Sequence, residues 1–262
     1  MELLGKSRMS PGRLTALFVL PLSLCLILLS AACDEVDTTY QEYRYLYTML
    51  DPDLALQSAI VDRSYRSEEP IPDSLNYGVR SARIVLQLEG GSDSTVFVES
   101  TATGLYRSVD ANWIRPCSSY RIRVTSDSLS GETRVRIPGQ FSIMFPPNGI
   151  HFTDTNSLMI LAWTRSLCTP GYRIVIQDSL LRRRRMFSFP IFLPDSITLV
   201  NLKPFYQSYF DSSGTYYIKV YALDSATAGR QGGIDTIGTN FLAATGAMVT
   251  RQVKVYYDRM RP

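Results

Sequence analysis

The chain has 262 residues, 45% of them apolar, with 27 basic and 24 acidic side chains and a single histidine. That apolar content supports a packed core and excludes a disordered, charge-rich chain. The near-balance of charge excludes the bulk basic surface that nucleic-acid binding needs, and one histidine with two widely spaced cysteines beyond residue 40 supplies no closely spaced zinc ligand set.

The first forty residues read as a leader. Lys6, Arg8 and Arg13 precede an apolar run from Leu14 to Leu29, and the small residues Ser30, Ala31 and Ala32 follow, ahead of Cys33. A basic end, a short apolar centre and a small-residue exit make up a secretory signal. The run is barely long enough for the ~20 apolar residues of a membrane span. Ser-Ala-Ala-Cys resembles the bacterial lipobox, although Ser30 stands where that pattern prefers leucine. Cys25 is the poorer candidate because bulky Leu24 precedes it. The resemblance implies cleavage after residue 32 and lipid on Cys33, the membrane tether of a protein with several acyl chains. Losing residues 1–32 removes three basic residues and Glu2, so the mature chain is close to neutral. Cys117 and Cys168 then remain. In an oxidising compartment they are a candidate disulfide closing a loop of about 50 residues, and two free thiols are the alternative.

Beyond the leader, apolar residues alternate with period two. "YRYLYTM" sets Tyr43, Tyr45, Tyr47 and Met49 on one face, and "RIVLQL" sets Ile84, Leu86 and Leu88 opposite Arg83, Val85 and Gln87. "YRIRV" (120–124), "TRVRI" (133–137), "LMILAW" (158–163), "YRIVI" (172–176), "YYIKVYAL" (216–223) and "RQVKVYY" (251–257) continue the pattern. These predict half-buried strands. "EGGSDS" (89–94), "SDSLSG" (126–131) and "DSSG" (211–214) predict turns between strands. Prolines and glycines in "IPGQFSIMFPPNG" (137–149) mark a joint. The expected fold is all-β: two β-sandwich modules of immunoglobulin or fibronectin III type, at 33–139 and 140–262, behind a signal peptide at 1–32. Trp163 beneath a tyrosine-rich partner strand is the expected core of the second module.

The order of short motifs resembles the DUF4249-type family of uncharacterised bacterial lipoproteins. The resemblance runs from "YLYTMLDPDLALQSAIVDRSY" through Ser81-Ala82 at a strand start, Gly104-Leu105-Tyr106, "IRPCSSYRIRVTS", and Pro138 with Phe141 and Ile143. Cys117 stands where that family has glycine after the proline. "GGIDTIGTNFLAATGA" (232–247) resembles the family's long glycine-rich connection ahead of the final strand. The resemblance implies a lipid-anchored β protein of a Gram-negative-type envelope and implies no activity.

Chemistry is sparse. A catalytic triad would have to use His151, yet no G-x-S-x-G turn accompanies it. "DPD" (51–53) and "DTN" (154–156) are too thin for a calcium loop, and "GGIDTIG" lacks dinucleotide spacing. No cofactor, metal or catalytic residue is expected, and the chain is read as a non-enzyme. Arg182, Arg183, Arg184 and Arg185 form the one charge run, either a protected edge strand or an anionic contact with lipid phosphate or an acidic partner. Tyr43, Tyr45 and Tyr47, and separately Tyr206, Tyr209 and Phe210, are candidate sugar platforms or ordinary strand tyrosines. The functional expectation is a lipid-anchored envelope protein with a structural or protein-contact role, and the alternative is a surface glycan- or ligand-binding lipoprotein. The outer membrane, on its periplasmic or surface face, is expected over the inner membrane. Asp34 and Glu35 resemble a retention signal in some bacteria and an export signal in others.

Overall fold

The computed structural model describes residues 40–66, 68–70, 78–153, 160–180, 184–190, 197–202, 210, 212–229 and 234–259. The leader, Cys33, Asp34, Glu35, Arg182, Arg183, Tyr206 and Tyr209 lie outside the described residues. Residues 42–262 form one compact unit. None of its helices, among the described residues, is long and apolar enough to cross a membrane.

The fold is all-β. The first seven strands are β1 (Arg44–Leu50), β2 (Ser58–Arg63), β3 (Arg83–Leu88), β4 (Ser94–Glu99), β5 (Leu105–Ser108), β6 (Ser119–Ser126) and β7 (Leu129–Arg136). They are followed by β8 (Ile143–Phe145), β9 (Ile150–Thr153), β10 (Ile160–Thr164), β11 (Gly171–Asp178), β12 (Arg184–Pro190), β13 (Ile197–Asn201) and β14 (Gly214–Leu223). A five-residue helix, α1 (Ser225–Gly229), precedes β15 (Asp235–Gly238) and the long β16 (Phe241–Asp258).

One sheet runs β12-β11-β14-β16-β1-β2-β5-β4-β3-β6-β7, and a second runs β13-β10-β8. Period-two alternation explains which side chains go inside. In β11, Tyr172, Ile174 and Ile176 are buried, and in β14, Tyr216, Ile218 and Val220 are buried. Those six join Trp163, Phe141, Phe152 and Phe210 in one core between the two sheets. The other core, the first in chain order, holds Leu46, Val61, Ile84, Leu86, Tyr106, Tyr120, Ile122 and Val135, and the core around Trp163 is the second.

β16 serves both cores. Its first seven residues pair in parallel with β1, and Met248–Tyr257 pair antiparallel with β14. Phe241, Ala243 and Ala247 enter the first core, whereas Val249, Val253 and Val255 enter the second. Around the joint expected at 139–140, Ile137 packs in one core and Phe141 in the other, within the single unit 42–262. The segment 232–247, expected as a glycine-rich connection, is corrected here: it contains β15 and the first part of the last strand. Small residues suit a strand with close neighbours. A Cβ at Gly131 of β7 would lie 2.6 Å from Ile237 of β15, so side-chain-free positions let the curled sheet close on itself.

Buried tyrosines tie strands to loops. The Tyr106 hydroxyl donates to the Val79 carbonyl at 2.6 Å and accepts from the Ala82 N–H at 2.9 Å. Tyr120 accepts from the Arg115 N–H at 2.8 Å, and Tyr172 from the Ser166 N–H at 2.6 Å. In all three, burial raises the phenol above its ordinary value and outweighs the backbone donors that lower it. The folded chain therefore holds these protons more tightly than the unfolded chain. Their contribution is complete below the unfolded value, near 10, and is lost as pH rises through the raised folded values. An alkaline titration followed by phenolate absorbance should show a late-titrating subset whose ionisation coincides with loss of the β-sheet circular dichroism signal. A titration in which every tyrosine ionises before that loss would contradict the assignment.

Candidate functional site

The outward side of β1 to β5 carries two groups of exposed apolar residues among polar ones, with exposed Arg107 of β5, opposite Ser58 and Val98, between them. β1 turns Leu46 and Leu50 into the core, so Tyr45, Tyr47 and Met49 face outward at a spacing of two residues. Register places their members. Tyr47 lies opposite Ile60, Ile60 opposite Leu105, and Val96 opposite Val85, while the Val109 N–H donates to the Val96 carbonyl at 3.0 Å. Ile60 is 46% exposed, Val98 51% and Val109 53%. Lone surface apolar groups are ordinary, but Tyr47, Met49 and Ile60 adjoin on β1 and β2, and Val96, Val98 and Val109 adjoin on and beside β4, with Arg107 between the two groups. The Tyr45 and Tyr47 rings stack on each other, 6.2 Å apart and 11° from parallel. Tyr43 is half-buried, with its N–H donating to Ser64 at 2.9 Å. Sequence reading singled out the tyrosines and missed Val96, Val98 and Ile60. The available signal was "STVFVE", whose two faces are both apolar although only one can point inward.

The second candidate platform is corrected. Phe210 is 1% exposed and packs against Phe152 at 5.1 Å and Tyr216 at 4.9 Å, inside the second core. Trp163, expected in the core, is fully buried and edge-on to Tyr172 at 5.1 Å.

The outward face of β11, β14 and the end of β16 alternates tyrosine with cations. Tyr217 lies opposite Lys254, Lys219 opposite Gln252, and Arg173 opposite Tyr221. The Lys254 ammonium sits 4.8 Å from the Tyr256 ring centre, and His151 stacks on the same ring at 4.4 Å. His151 is a surface residue, 69% exposed at its side chain, with Nδ1 3.7 Å from Asp258. Arg184 and Arg185 belong to β12, opposite Gln177 and Ile176, and β12 ends the described sheet. No group of three or more potential metal ligands occurs among the described residues.

The two halves are pinned where they meet. Arg251 of β16 donates to the Phe141 carbonyl at 2.9 Å, to Asp53 at 2.5 Å and to the Gln140 side-chain oxygen. Gln140 in turn donates to Asp53 at 3.2 Å. One guanidinium thus holds the β1–β2 loop, the segment between the cores and the last strand, a use that suits its fan of donors. Asp51, beside it, has its carboxyl raised by burial. Beside this pin the Gly139 N–H donates to the Leu167 carbonyl at 2.6 Å, and Ser166 donates to the Gly139 carbonyl at 2.6 Å. Cys117 and Cys168 lie at the same place, unbonded and half-buried, with Cys117 Sγ against Gly139 and Cys168 following Leu167, whose carbonyl accepts from Gly139.

No protein-family model matches the chain, and no curated protein matches it. Solved structures do. The FN1-FN3 domains of chicken CNTN1 are 13% identical over 79% of this chain, which spans 63% of that one, with a TM-score of 0.25. A two-domain fibronectin type III segment from chicken tenascin is 11% identical over 82% of this chain and 99% of its own, with a TM-score of 0.23. Scores of that size carry no argument about sites, and the fold class stands on the strands: an all-β chain of sandwich-like sheets.

Proposed function

We propose that this chain is a lipid-anchored, non-catalytic protein of the bacterial cell envelope that works by docking a protein partner. The exposed apolar residues Tyr47, Met49 and Ile60, with Val96, Val98 and Val109 across Arg107, carry the reading. Burying such residues is favourable by roughly 25 cal/mol for each Å² of apolar surface removed from water, so a partner with a matching apolar patch gains affinity there. The anchor is Cys33, through the lipobox-like "LLSAAC", and the same motif with the DUF4249-like order of strands supports an outer-membrane address. The stacked Tyr45 and Tyr47 rings favour a second reading, a glycan bound on that same face, because sugar rings stack on aromatic faces.

The test uses the full chain in its native envelope. Mass spectrometry of the mature N-terminus should find diacyl or triacyl Cys33, and an unmodified terminus elsewhere would remove the anchor. A photo-crosslinker at Val98 should capture one dominant protein, and the same group at Gln252 should not. Ile60→Lys with Val109→Lys should lower that capture at least tenfold, about 1.4 kcal/mol, with the melting temperature unchanged. Equal capture from both positions would overturn the docking reading. Capture abolished by added oligosaccharide and by Tyr47→Ala would transfer the face to a glycan.

A further inference from the structure

We propose that Cys117 and Cys168 form a thiol–disulfide site that staples the two modules at their joint. Cys117 lies in the turn between β5 and β6, whose strands build the first core, and Cys168 in the turn between β10 and β11, whose strands build the second. Both hold left-handed backbone, with φ of 56° and 61°. Side chains other than glycine rarely take that conformation, and such positions gather where a site demands them.

The chain between the modules makes room for the meeting. A Cβ at Gly139 would stand 3.1 Å from the Cys117 sulfur and 2.9 Å from both the amide nitrogen and the carbonyl of Leu167. Only a residue without a side chain lets the Cys168 turn close on Cys117. The setting is polar: the Arg136 guanidinium donates to Cys168 Sγ at 3.4 Å. Burial, and then the neighbouring Cys168, push the Cys117 thiol up to about 11.

These surroundings set the order of events. Thiolate, not thiol, attacks a disulfide, and a nearby cation favours the thiolate. Cys168, whose sulfur accepts from Arg136, attacks a small-molecule or protein disulfide through its thiolate, the proton passing to solvent. One S–S bond forms as the oxidant's S–S bond breaks, and the first oxidant thiolate leaves. Cys117, losing its proton to that departing thiolate, attacks the Cys168 sulfur of the mixed disulfide and expels the second. Two protein thiols are oxidised to one disulfide while one oxidant disulfide is reduced to two thiols. The bridge then fixes the angle between modules that are otherwise joined by β16 and the Arg251 pin. The site stands whether or not Cys33 carries lipid.

The experiment uses the full chain purified from membranes. Non-reducing peptide mapping should show a Cys117–Cys168 peptide in the isolated protein, or after treatment of the reduced protein with oxidised glutathione. Reduction should lower the melting temperature by roughly 5–10 °C, because the released loop spans about 50 residues. Cys117→Ser and Cys168→Ser should each melt like the reduced protein and ignore reductant. Arg136→Leu should slow bridge formation several-fold and leave its final yield unchanged. Two alkylatable thiols after oxidised glutathione, or a stable glutathione adduct on Cys168 with Cys117 free, would overturn the proposal. So would identical melting of the bridged and reduced protein.

Discussion

Trp163→Ala should destabilise the second core by about 3–5 kcal/mol, the range for truncating a fully buried large aromatic residue. The indole has no exposure and belongs to β10, the middle strand of the smaller sheet. Tyr172 meets it edge-on, and Phe141 in turn meets Tyr172 at 5.8 Å, so its removal leaves a void lined by rings that cannot all collapse inward. The cavity decides the size of the effect. Trp163→Phe keeps most of the volume and should cost roughly half as much. Chemical denaturation followed by near- and far-ultraviolet circular dichroism measures both. The two signals should move together, because β16 delivers Phe241, Ala243 and Ala247 to the first core and Val249, Val253 and Val255 to the second. A far-ultraviolet transition that splits in two, with half the signal unmoved by the substitution, would show that the shared strand does not couple the cores.

That coupling is what the sequence leaves unreadable. Strands with one dry and one wet face print their burial directly: Ile84 and Leu86 in β3, Tyr120, Ile122 and Val124 in β6, and Tyr172, Ile174 and Ile176 in β11 all fall where alternation puts them. Short strands print too little. β5 has four residues and β8 three, below the length at which a period of two stands out. In 241–247 the buried positions carry Ala243, Thr245 and Ala247, whose small side chains read as a connection although their spacing is that of a strand. Parallel pairing of β1 with β16 joins opposite ends of the chain, a contact no local pattern announces. The candidate face followed the same rule: Tyr45 and Tyr47 were legible because aromatic residues stand out, and Val98 was not. Asp53 and Arg251 meet only because the fold brings them together, and nothing in their local sequence marks either one. The cysteines were legible as a pair by elimination, and their position at the joint came only with the fold.

Gly104→Ala should cost the fold about 3 kcal/mol or more, through two separable causes. Gly104 has φ of +74°, and an alanine in left-handed backbone costs about 1–2 kcal/mol. The second cause is crowding. A Cβ there would lie 2.6 Å from the Gly78 Cα and 2.7 Å from the Val61 carbonyl oxygen, both backbone atoms that no rotamer change can move aside. Gly78 mirrors it, with φ of +102° and its own Cβ position 2.7 Å from the Gly104 Cα. The contact is held by the Val61 N–H donating to the Gly104 carbonyl and the Val79 N–H donating to the Val61 carbonyl, each at 2.9 Å. Two residues on, Tyr106 anchors its hydroxyl to Val79 at 2.6 Å, so a displaced β5 strains a buried hydrogen bond as well. Gly90→Ala is the control. Gly90 has φ of +80° with nothing within 4 Å of its Cβ position, so it reports the backbone cost alone. Thermal melts should therefore rank Gly104→Ala well below Gly90→Ala, and the gap between them measures the close approach of the two glycine backbones. Equal melting temperatures would mean that the chain around Gly78 yields freely, and that the outward face built on β2 and β5 rests on softer backbone than its geometry implies.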